Sequence, residues 1–486
     1  MDFSALPTTA FIRPDGENQA AIAALLHQVV DLLVETMTQA ANRSPLPQPA
    51  EREPWAEIPE IPQDVDRLLG DVRSQLLHSM NAAHPGYIGH MDSIPTTVSV
   101  IGDMVVAALN NNMLSVEMSP MFSRLEHQVL RHIAQLFGLG ASANGVLVSG
   151  GSLANLQALI VARNVVFNAL KTGVPVDKHP VFFVSEVAHT SFQKAAMVMG
   201  LGTQAAIPVA TNPNSQIDVA DLQRKIDQAH AQGQHPFAIV ATAGTTVTGS
   251  IDPISAMAAV AQQHQLWFHV DAAYGGALMF SDVQRHQLAG IELADSVTFN
   301  PQKWLYVAKT CATVMFRKFD QLHQYFRVLA PYMHDHDDCP NLGEFTVQGT
   351  RHPDILKLWL SMQHLGRQGY GAIIDHNYAL AKTFTDAVKA RPFLALASQP
   401  QMNLICFRAE PAGMGPHQRD TWNAQLQQWL LTQGNTFLSL PTYRGEKWLK
   451  AVLLNPFTTS DHVERLFRHI DQYFAAHQSV ASMAKT

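Results

Sequence analysis

Residues 269–276 read His269-Val270-Asp271-Ala272-Ala273-Tyr274-Gly275-Gly276 and continue an apolar run that begins at Trp267. A strand that ends on an aspartate and then turns into small residues is unusual. A buried carboxylate is costly unless a cation faces it. The protonated ring nitrogen of a bound pyridinium cofactor would be such a cation, and the carboxylate would keep that nitrogen charged. The alternative is an aspartate that only caps the next helix.

A lysine follows the next apolar run of the chain. The segment Asn300-Pro301-Gln302-Lys303-Trp304 comes directly after Ser296–Phe299. Most lysines are solvated surface charges, but a lysine in a desolvated pocket loses proton affinity and becomes a nucleophile toward carbonyl groups. Because Lys303 follows one buried strand and precedes another, the pattern favours the nucleophile.

A glycine-rich turn lies between an apolar run that ends at Val148 and a long helical pattern. It reads Ser149-Gly150-Gly151-Ser152-Leu153-Ala154-Asn155. Glycines let the backbone approach an anion closely, and a helix N-terminus offers free N–H groups. The turn therefore predicts a phosphate-binding cradle, with a serine-capped helix start as the alternative.

A histidine follows another apolar run, in Ala188-His189-Thr190-Ser191 after Val181–Val184. Its ring could stack on a flat cofactor, although a lone histidine is more often a structural residue. All four features lie at strand ends, where open α/β sheets bind ligands. Together, a phosphate cradle, a stacking ring, an acid and a lysine indicate one cofactor site.

The surrounding pattern predicts the fold class. From about residue 85, helical stretches alternate with short apolar runs that lack strict alternation, as in strands buried on both faces of a largely parallel α/β sheet. The runs are Val146–Val148, Val181–Val184, Ala238–Ala243, Trp267–Val270, Ser296–Phe299 and Thr313–Phe316. Beyond about residue 370 a smaller α+β domain is predicted. Its elements are Asp375–Ala390, Asn403–Phe407, Arg419–Thr432, Lys450–Leu454 and Ser460–Ala475.

Three units are predicted along the chain: residues 1–84, 85–368 and 369–486. In the first, residues 17–42 form a helix with apolar side chains on more than one face, so we expect burial on several sides, with a dimer partner as the natural cover. A proline-dense stretch between residues 45 and 62 then predicts an extended connection.

The composition narrows the class of protein. The chain has 47% hydrophobic and 15% charged residues, a net charge of -7 and no basic stripe, which gives no indication of nucleic-acid binding. Three distant cysteines, Cys311, Cys339 and Cys406, favour a reducing cytoplasm over a disulfide framework. No signal peptide and no stretch of about 18 apolar residues is seen, so no membrane span is expected.

At these motifs the chain resembles the group II pyridoxal-phosphate-dependent amino acid decarboxylases, the family of glutamate, aromatic amino acid and 2,4-diaminobutyrate decarboxylases. The resemblance runs from about residue 80 to 460. Besides residues 269–276, the matching segments are His84-Pro85-Gly86-Tyr87, Ser119-Pro120, Gly150-Gly151-Ser152, His189, Thr245-Thr246, Asn300-Pro301-Gln302-Lys303-Trp304, Arg351 and Leu454-Asn455-Pro456.

The resemblance implies a type I aminotransferase-like fold, pyridoxal 5′-phosphate as cofactor, and a homodimer with active sites at the interface. It implies that Lys303 holds the cofactor as a Schiff base and that Asp271 pairs with the ring nitrogen. His189 and Ala273 are expected on the two faces of the ring. The remaining implied contacts are Gly151, Ser152, Leu153 and Asn300 at the phosphate, Thr246 beside the ring substituents, and His90, Arg351 and Lys450 at the substrate.

The chain departs from the family pattern in three places. Gln302 replaces a histidine usual in the animal enzymes, and Lys450 replaces the carboxylate-binding arginine of glutamate decarboxylases. The loop at residues 333–341 has no tyrosine at the spacing expected for a proton donor. His334 and His336 in that loop could suggest a metal site, but a solvated polar loop fits them better.

The expected activity is decarboxylation of an L-amino acid to an amine and carbon dioxide in the cytoplasm. A small polar substrate, 2,4-diaminobutyrate or aspartate, is predicted, because Lys450 offers a point charge rather than a bidentate clamp. An oxidative aldehyde synthase and an aromatic amino acid decarboxylase remain alternatives on the same scaffold. An aminotransferase is disfavoured by the family motifs. A non-catalytic scaffold protein would be expected to lose Lys303 or Asp271.

Overall fold

The computed structural model describes residues 6–47, 58–331, 333–334 and 339–483, with side chains up to His477. Part of the proline-dense connection, residues 48–57, lies outside this description. The N-terminal helices are α1 (Gln19–Thr38), α2 (Val65–His78), α3 (Thr97–Leu109) and α4 (Pro120–Leu136).

The central unit alternates strands and helices, as the sequence predicts. Its elements are β1 (Asn144–Val148), α5 (Gly151–Phe167), β2 (Pro180–Ser185), α6 (Ser191–Val198), β3 (Ala206–Val209), α7 (Val219–Ala231), β4 (His235–Thr242), α8 (Ile254–His264), β5 (Trp267–Asp271), β6 (Ser296–Phe299), β7 (Ala312–Phe316) and α9 (Asp320–Tyr325). Strands β1, β2, β5, β6 and β7 are buried at every residue, which explains their unbroken apolar character.

These strands form one seven-stranded sheet in the order β1-β7-β6-β5-β4-β2-β3. Strand β7 runs antiparallel to both of its neighbours, and the other pairs are parallel. The predicted α/β class with a mostly parallel sheet is thus confirmed. The parallel pairing brings the carboxyl ends of β4, β5 and β6 to one edge.

A smaller α+β unit follows. Its elements are α10 (Ile355–Lys389), β8 (Leu394–Leu396), β9 (Leu404–Ala409), α11 (Pro416–Thr432), β10 (Thr442–Tyr443), β11 (Glu446–Lys447), β12 (Leu449–Val452) and α12 (Ser460–Met483). Strands β8, β9 and β12 form an antiparallel sheet. Helix α10 is interrupted at Gly366, whose φ of 62° leaves the helical region. A separate apolar cluster that includes Phe384, Phe407 and Phe467 forms the core of this unit.

Helix α1 is largely uncovered within the described part of the single chain, so the expected dimer cover stays a prediction. Only Ile22 and Leu32 of this helix are buried, because within the described chain few other elements cover it. In addition, α1 is long and apolar enough to cross a membrane by length and composition alone, although the sequence reading found no such stretch. Its exposed apolar side chains are Leu26, Val30, Leu33, Val34 and Met37.

Candidate active site

A cavity of about 180 Å³ opens at the carboxyl ends of the parallel strands. It brings together eight of the residues that the sequence motifs and the family resemblance single out, from the glycine turn to the lysine. The lining residues are Gly151, Ser152, Asn155, His189, Thr242, Gly244, Thr246, Asp271, Ala273, Tyr274, Asn300 and Lys303.

Asp271 is the last residue of β5 and is only 6% exposed. Its Oδ1 accepts a hydrogen bond from the Ala273 N–H at 3.1 Å, and its Oδ2 accepts one from Asn155 Nδ2 at 2.9 Å. The contact with Ala273 is the kind of turn bond that a capping aspartate makes. Capping of the turn explains the contact of Oδ1 only. The hydrogen bond from Asn155 to Oδ2 connects Asp271 to helix α5 as well.

Lys303 lies in the turn between β6 and β7, and its backbone is held from both sides. Its N–H donates to Asn300 O at 3.0 Å, and Ser93 Oγ donates to its carbonyl oxygen at 2.8 Å. Burial lowers the pKa of Lys303, while the charge of Asp271 opposes that shift. A larger share of uncharged amine follows, as a nucleophile toward a carbonyl requires.

The residue after Lys303 fixes the turn against other parts of the chain. The Trp304 indole stacks with Tyr274 at 4.9 Å and with Tyr378 at 6.1 Å between ring centroids. Its N–H donates to Asn377 Oδ1 at 2.8 Å, which connects the lysine turn to helix α10. The lysine is therefore presented by a rigid, buried support.

The glycine turn has the geometry of an anion cradle. Gly151 and Ser152 are the first residues of α5, where N–H groups have no partner within the helix. A Cβ on Gly151 would lie 2.8 Å from Asn300 Nδ2, so only glycine lets this amide approach. Among the described residues, buried Asn300 Oδ1 has no hydrogen-bond partner.

One part of the predicted cradle is corrected. The N–H of Leu153 already donates to Gly150 O at 3.1 Å, because the helix closes its first turn there. Leu153 is also absent from the cavity lining, with its side chain packed against the core. We therefore leave Leu153 out of the cradle.

His189 stands at the cavity edge with an exposed ring. The Ser191 N–H donates to His189 Nδ1 at 3.1 Å, and partial burial lowers the pKa of the ring. A backbone N–H can only donate, so the neutral ring carries its proton on Nε2.

The residues of this cavity fit pyridoxal phosphate. A helix N-terminus and the Asn300 Nδ2 group beside Gly151 are donors that suit the phosphate, a buried acid suits the ring nitrogen, and a lysine of lowered pKa suits the aldehyde. Thr246 and Ala273 lie in the lining, as the family resemblance implies.

The predicted substrate residues His90 and Lys450 lie beside the cavity rather than in its lining. Lys450 is 5% exposed, and its Nζ donates to Thr246 O at 3.3 Å. Burial lowers the pKa of Lys450, and the nearby Cys406 and Asp92 oppose that shift. Partial burial, followed by the charge of Lys450, lowers the pKa of His90.

Arg351, a predicted substrate residue, is not brought to the cavity, and Gln302 has a local partner. The Arg351 guanidinium is buried against Glu126, with Nη2–Oε1 and Nη1–Oε2 distances of 3.1 and 3.2 Å, and also donates to Leu147 O. It ties α4 to β1 and is not brought to the cavity. Gln302 Oε1 accepts from the Cys311 N–H at 2.6 Å, so this side chain braces its own turn.

Metal binding finds no support in the described residues. Asp335, His336, Asp337 and Asp338 of the loop lie outside them. Asp103, His352 and Asp354 have the spacing of metal ligands, but Lys357 Nζ lies 3.0 Å from Asp103 and 2.8 Å from Asp354. The lysine ammonium already supplies the cation there.

Four lining residues were given no role by the sequence analysis: Asn155, Thr242, Gly244 and Tyr274. Asn155 lies four residues after Gly151, one helical turn along the same face. Helical spacing from the glycine turn could therefore have indicated Asn155 as a lining residue. Thr242 ends β4 directly beside Asp271 in the sheet register, and a strand end next to a functional acid is a usable indication.

Comparisons with known proteins identify the family of the chain. Residues 47–410 match the family described as the pyridoxal-dependent decarboxylase conserved domain. The chain is 31% identical over 410 residues to an L-2,4-diaminobutyrate decarboxylase of Acinetobacter baumannii, covering 81% of this chain and 80% of the relative. It is 32% identical over 419 residues to the enzyme of that name from Rhizobium meliloti (strain 1021), covering 85% and 83%.

A solved structure extends the likeness to three dimensions. It is the glutamate decarboxylase domain of diaminobutyrate-pyruvate transaminase and L-2,4-diaminobutyrate decarboxylase from Vibrio parahaemolyticus. Identity is 26% and the TM-score is 0.84, with 96% of this chain and 98% of that chain covered. The chain belongs to the pyridoxal-dependent decarboxylase family and is a pyridoxal-phosphate-dependent amino acid decarboxylase.

Proposed function

We propose that this enzyme removes the α-carboxylate of L-2,4-diaminobutyrate, giving 1,3-diaminopropane and carbon dioxide. The observation that carries this choice is the name shared by two relatives, each more than 30% identical over at least four fifths of both chains. Aspartate is the second candidate, because the buried Lys450 beside the cavity offers a charge that a side-chain carboxylate could meet.

Bound pyridoxal phosphate supplies an electron sink for the electron pair left when carbon dioxide departs. In our proposal Lys303 is the residue that binds the cofactor aldehyde. Its lowered pKa and its fixed backbone support this role, since an uncharged and positioned amine attacks a carbonyl most readily.

Asp271 is proposed to accept a hydrogen bond from the protonated ring nitrogen. A carboxylate held beside a cation favours the charged form of that cation, which keeps the ring electron-accepting. The depth of Asp271 and its two fixed donors support this role, because they leave little freedom for the acid to turn away.

The remaining residues of the cavity are proposed to position the cofactor. Gly151, Ser152 and Asn300 hold the phosphate, and His189 and Ala273 lie on the two faces of the ring. The exposed position of His189 and the Asn300 Nδ2 donor beside Gly151 support these assignments.

At the substrate end, His90 and Lys450 are the proposed contacts. Lys450 would repel a cationic side chain, but its Nζ is turned to Thr246 O and its pKa is lowered. Asp92, which forms an ion pair with Lys309, lies near enough to oppose the pKa shifts of His90 and Lys450. These charges suit a short polar side chain better than an aromatic one.

We also propose that the enzyme is a cytoplasmic homodimer. The exposed apolar residues of α1 and the apolar groove they form with Ile94, Pro95 and Val100 support an interface on this side of the chain.

The substrate is tested by measuring kcat/KM with diaminobutyrate, aspartate, glutamate, tyrosine and tryptophan, using carbon dioxide release. Diaminobutyrate is expected to lead, with aspartate next. A preference of about a hundredfold for tyrosine or tryptophan, about 2.7 kcal/mol in the transition state, would overturn the proposal. Ammonia and peroxide are measured in the same assays, and their formation in step with carbon dioxide would indicate an aldehyde synthase.

A further inference from the structure

A chain of buried hydrogen bonds starts at Asp271 and Asn155 in the cavity lining and runs from there into the protein interior. Asn155 Nδ2 lies 2.9 Å from Asp271 Oδ2, and Asn155 Oδ1 lies 3.1 Å from His269 Nε2. His269 Nδ1 lies 2.9 Å from Ser296 Oγ, which the Trp267 indole N–H approaches at 2.8 Å. Asn155, His269 and Ser296 are each at most 2% exposed, so water does not compete for these bonds.

The Asp271 end of this series of hydrogen bonds determines which atoms donate. An ionised carboxylate only accepts, so the Asn155 NH₂ group must face Asp271 and its carbonyl oxygen must face His269. That oxygen needs a donor, so the His269 Nε2 atom carries a proton. The same NH₂ group also donates to Ser191 Oγ at 3.1 Å, which fixes the orientation of the amide a second time.

The opposite end is compatible with this assignment. An indole N–H can only donate, so Ser296 Oγ accepts from Trp267 and keeps its own hydrogen available for His269 Nδ1. Burial lowers the pKa of His269 to about 4, although Asp271 opposes that shift, so the ring is neutral. The acid end therefore places the proton of the neutral ring on Nε2, which leaves Nδ1 to accept from Ser296.

We propose that Asn155 and His269 are positioning residues that hold the Asp271 carboxylate correctly oriented, by a one-directional chain of donors from Trp267 to the acid. This inference rests on the proposed role of Asp271 at the cofactor nitrogen. His269 never contacts the cofactor in this arrangement. It acts by keeping the Asn155 amide from turning over, since a flipped amide would direct an oxygen at the carboxylate and repel it.

The tautomer is tested by nitrogen NMR on the holoenzyme labelled with ¹⁵N-histidine. His269 is expected to show one protonated and one unprotonated nitrogen, with the proton on Nε2, and no titration between about pH 6 and about pH 8. The His269→Gln variant identifies its signals by their loss. A doubly protonated ring, or a proton on Nδ1, would overturn the inference.

The positioning role is tested with Asn155→Ala, and Asn164→Ala serves as the matched control. Asn164 lies on the same helix, is 3% exposed against 2% for Asn155, and donates to Tyr325 O instead. We expect Asn155→Ala to lower kcat by at least about tenfold and to move the pH at which the bound cofactor's absorbance titrates. Asn164→Ala should move neither quantity. Equal behaviour of the two variants would contradict the proposal.

A conservative pair keeps the test decisive if Asn155→Ala does not fold. His269→Gln retains an N–H that can reach Asn155 Oδ1, whereas His269→Leu does not. The absorbance titration of His269→Gln should lie closer to wild type than that of His269→Leu, and the reverse order would refute the proposal. Because the NMR and absorbance readouts need no substrate, a wrong substrate choice would leave them unchanged and be recognised separately.

Discussion

Lys303 is the residue on which the chemistry of the site depends most directly. Replacing it with alanine should abolish turnover and the covalent, borohydride-reducible bond to pyridoxal phosphate, because no other lysine of the described chain lines the cavity. The check is peptide mapping after reduction. Lys171→Ala, at an exposed position, is the control and should behave like wild type. A labelled peptide containing a different lysine would refute the assignment.

Asp271 allows a second test at the same scale. Asp271→Asn should leave cofactor binding partly intact and reduce kcat by about a hundredfold or more, because a neutral amide cannot stabilise a protonated ring nitrogen. Cofactor affinity by fluorescence titration and kcat are measured together. Turnover near the wild-type value would mean that the acid only closes the turn to Ala273.

At the scale of elements, the start of α5 and the end of β6 meet at the phosphate cradle. Gly151→Ala would place a methyl group 2.8 Å from Asn300 Nδ2 and push the amide away. We expect the dissociation constant of pyridoxal phosphate to rise by about tenfold or more, the effect of losing one charge-assisted hydrogen bond. Gly70→Ala, where the methyl group meets nothing within 4 Å, is the control. An unchanged affinity in Gly151→Ala would remove the glycine turn from the site.

Most strands of the large sheet were predictable because complete burial leaves an unbroken apolar run. Strand β3 was missed, since Ala206–Val209 is short and contains Pro208, which sheets tolerate at an edge. The reversed direction of β7 was missed as well. No α-helix separates β6 from β7, and a parallel connection usually needs one, so the short Lys303 turn already indicated an antiparallel pair.

The residues assigned to the cofactor were easier to predict from the sequence than the residues that contact only other protein groups. Asp271 and Lys303 stand out because an acid or a lysine at the end of a buried strand is costly without a partner. Arg351 was misjudged because its partner, Glu126, is distant in the sequence. The sequence gives no indication of the contact between Asn155 and His269 of β5, because that contact exists only in the folded chain.

On the scale of the whole molecule, helices α1 and α3 line an apolar groove and expose large apolar side chains, a feature typical of interaction surfaces. Helix α1 contributes Leu33 and Val34, and helix α3 contributes Ile101 and Met104, all at least 36% exposed. A membrane or a second copy of the chain could cover this surface. The low charged fraction of 15% suits a subunit interface, because obligate interfaces resemble a core cut in half.

Sedimentation can distinguish a second copy of the chain from a membrane as the partner of this apolar surface. We expect wild-type enzyme to remain in solution without detergent and to sediment as a dimer. Val34→Glu combined with Met104→Glu should give monomers and, if the active sites lie at the interface, should also lose turnover. The control is Val176→Glu, which places the same charge at a side chain that is 98% exposed on the sheet domain and should stay dimeric. A wild-type chain that sediments as an active monomer would contradict the dimer, and one that needs detergent to stay in solution would assign α1 to a membrane.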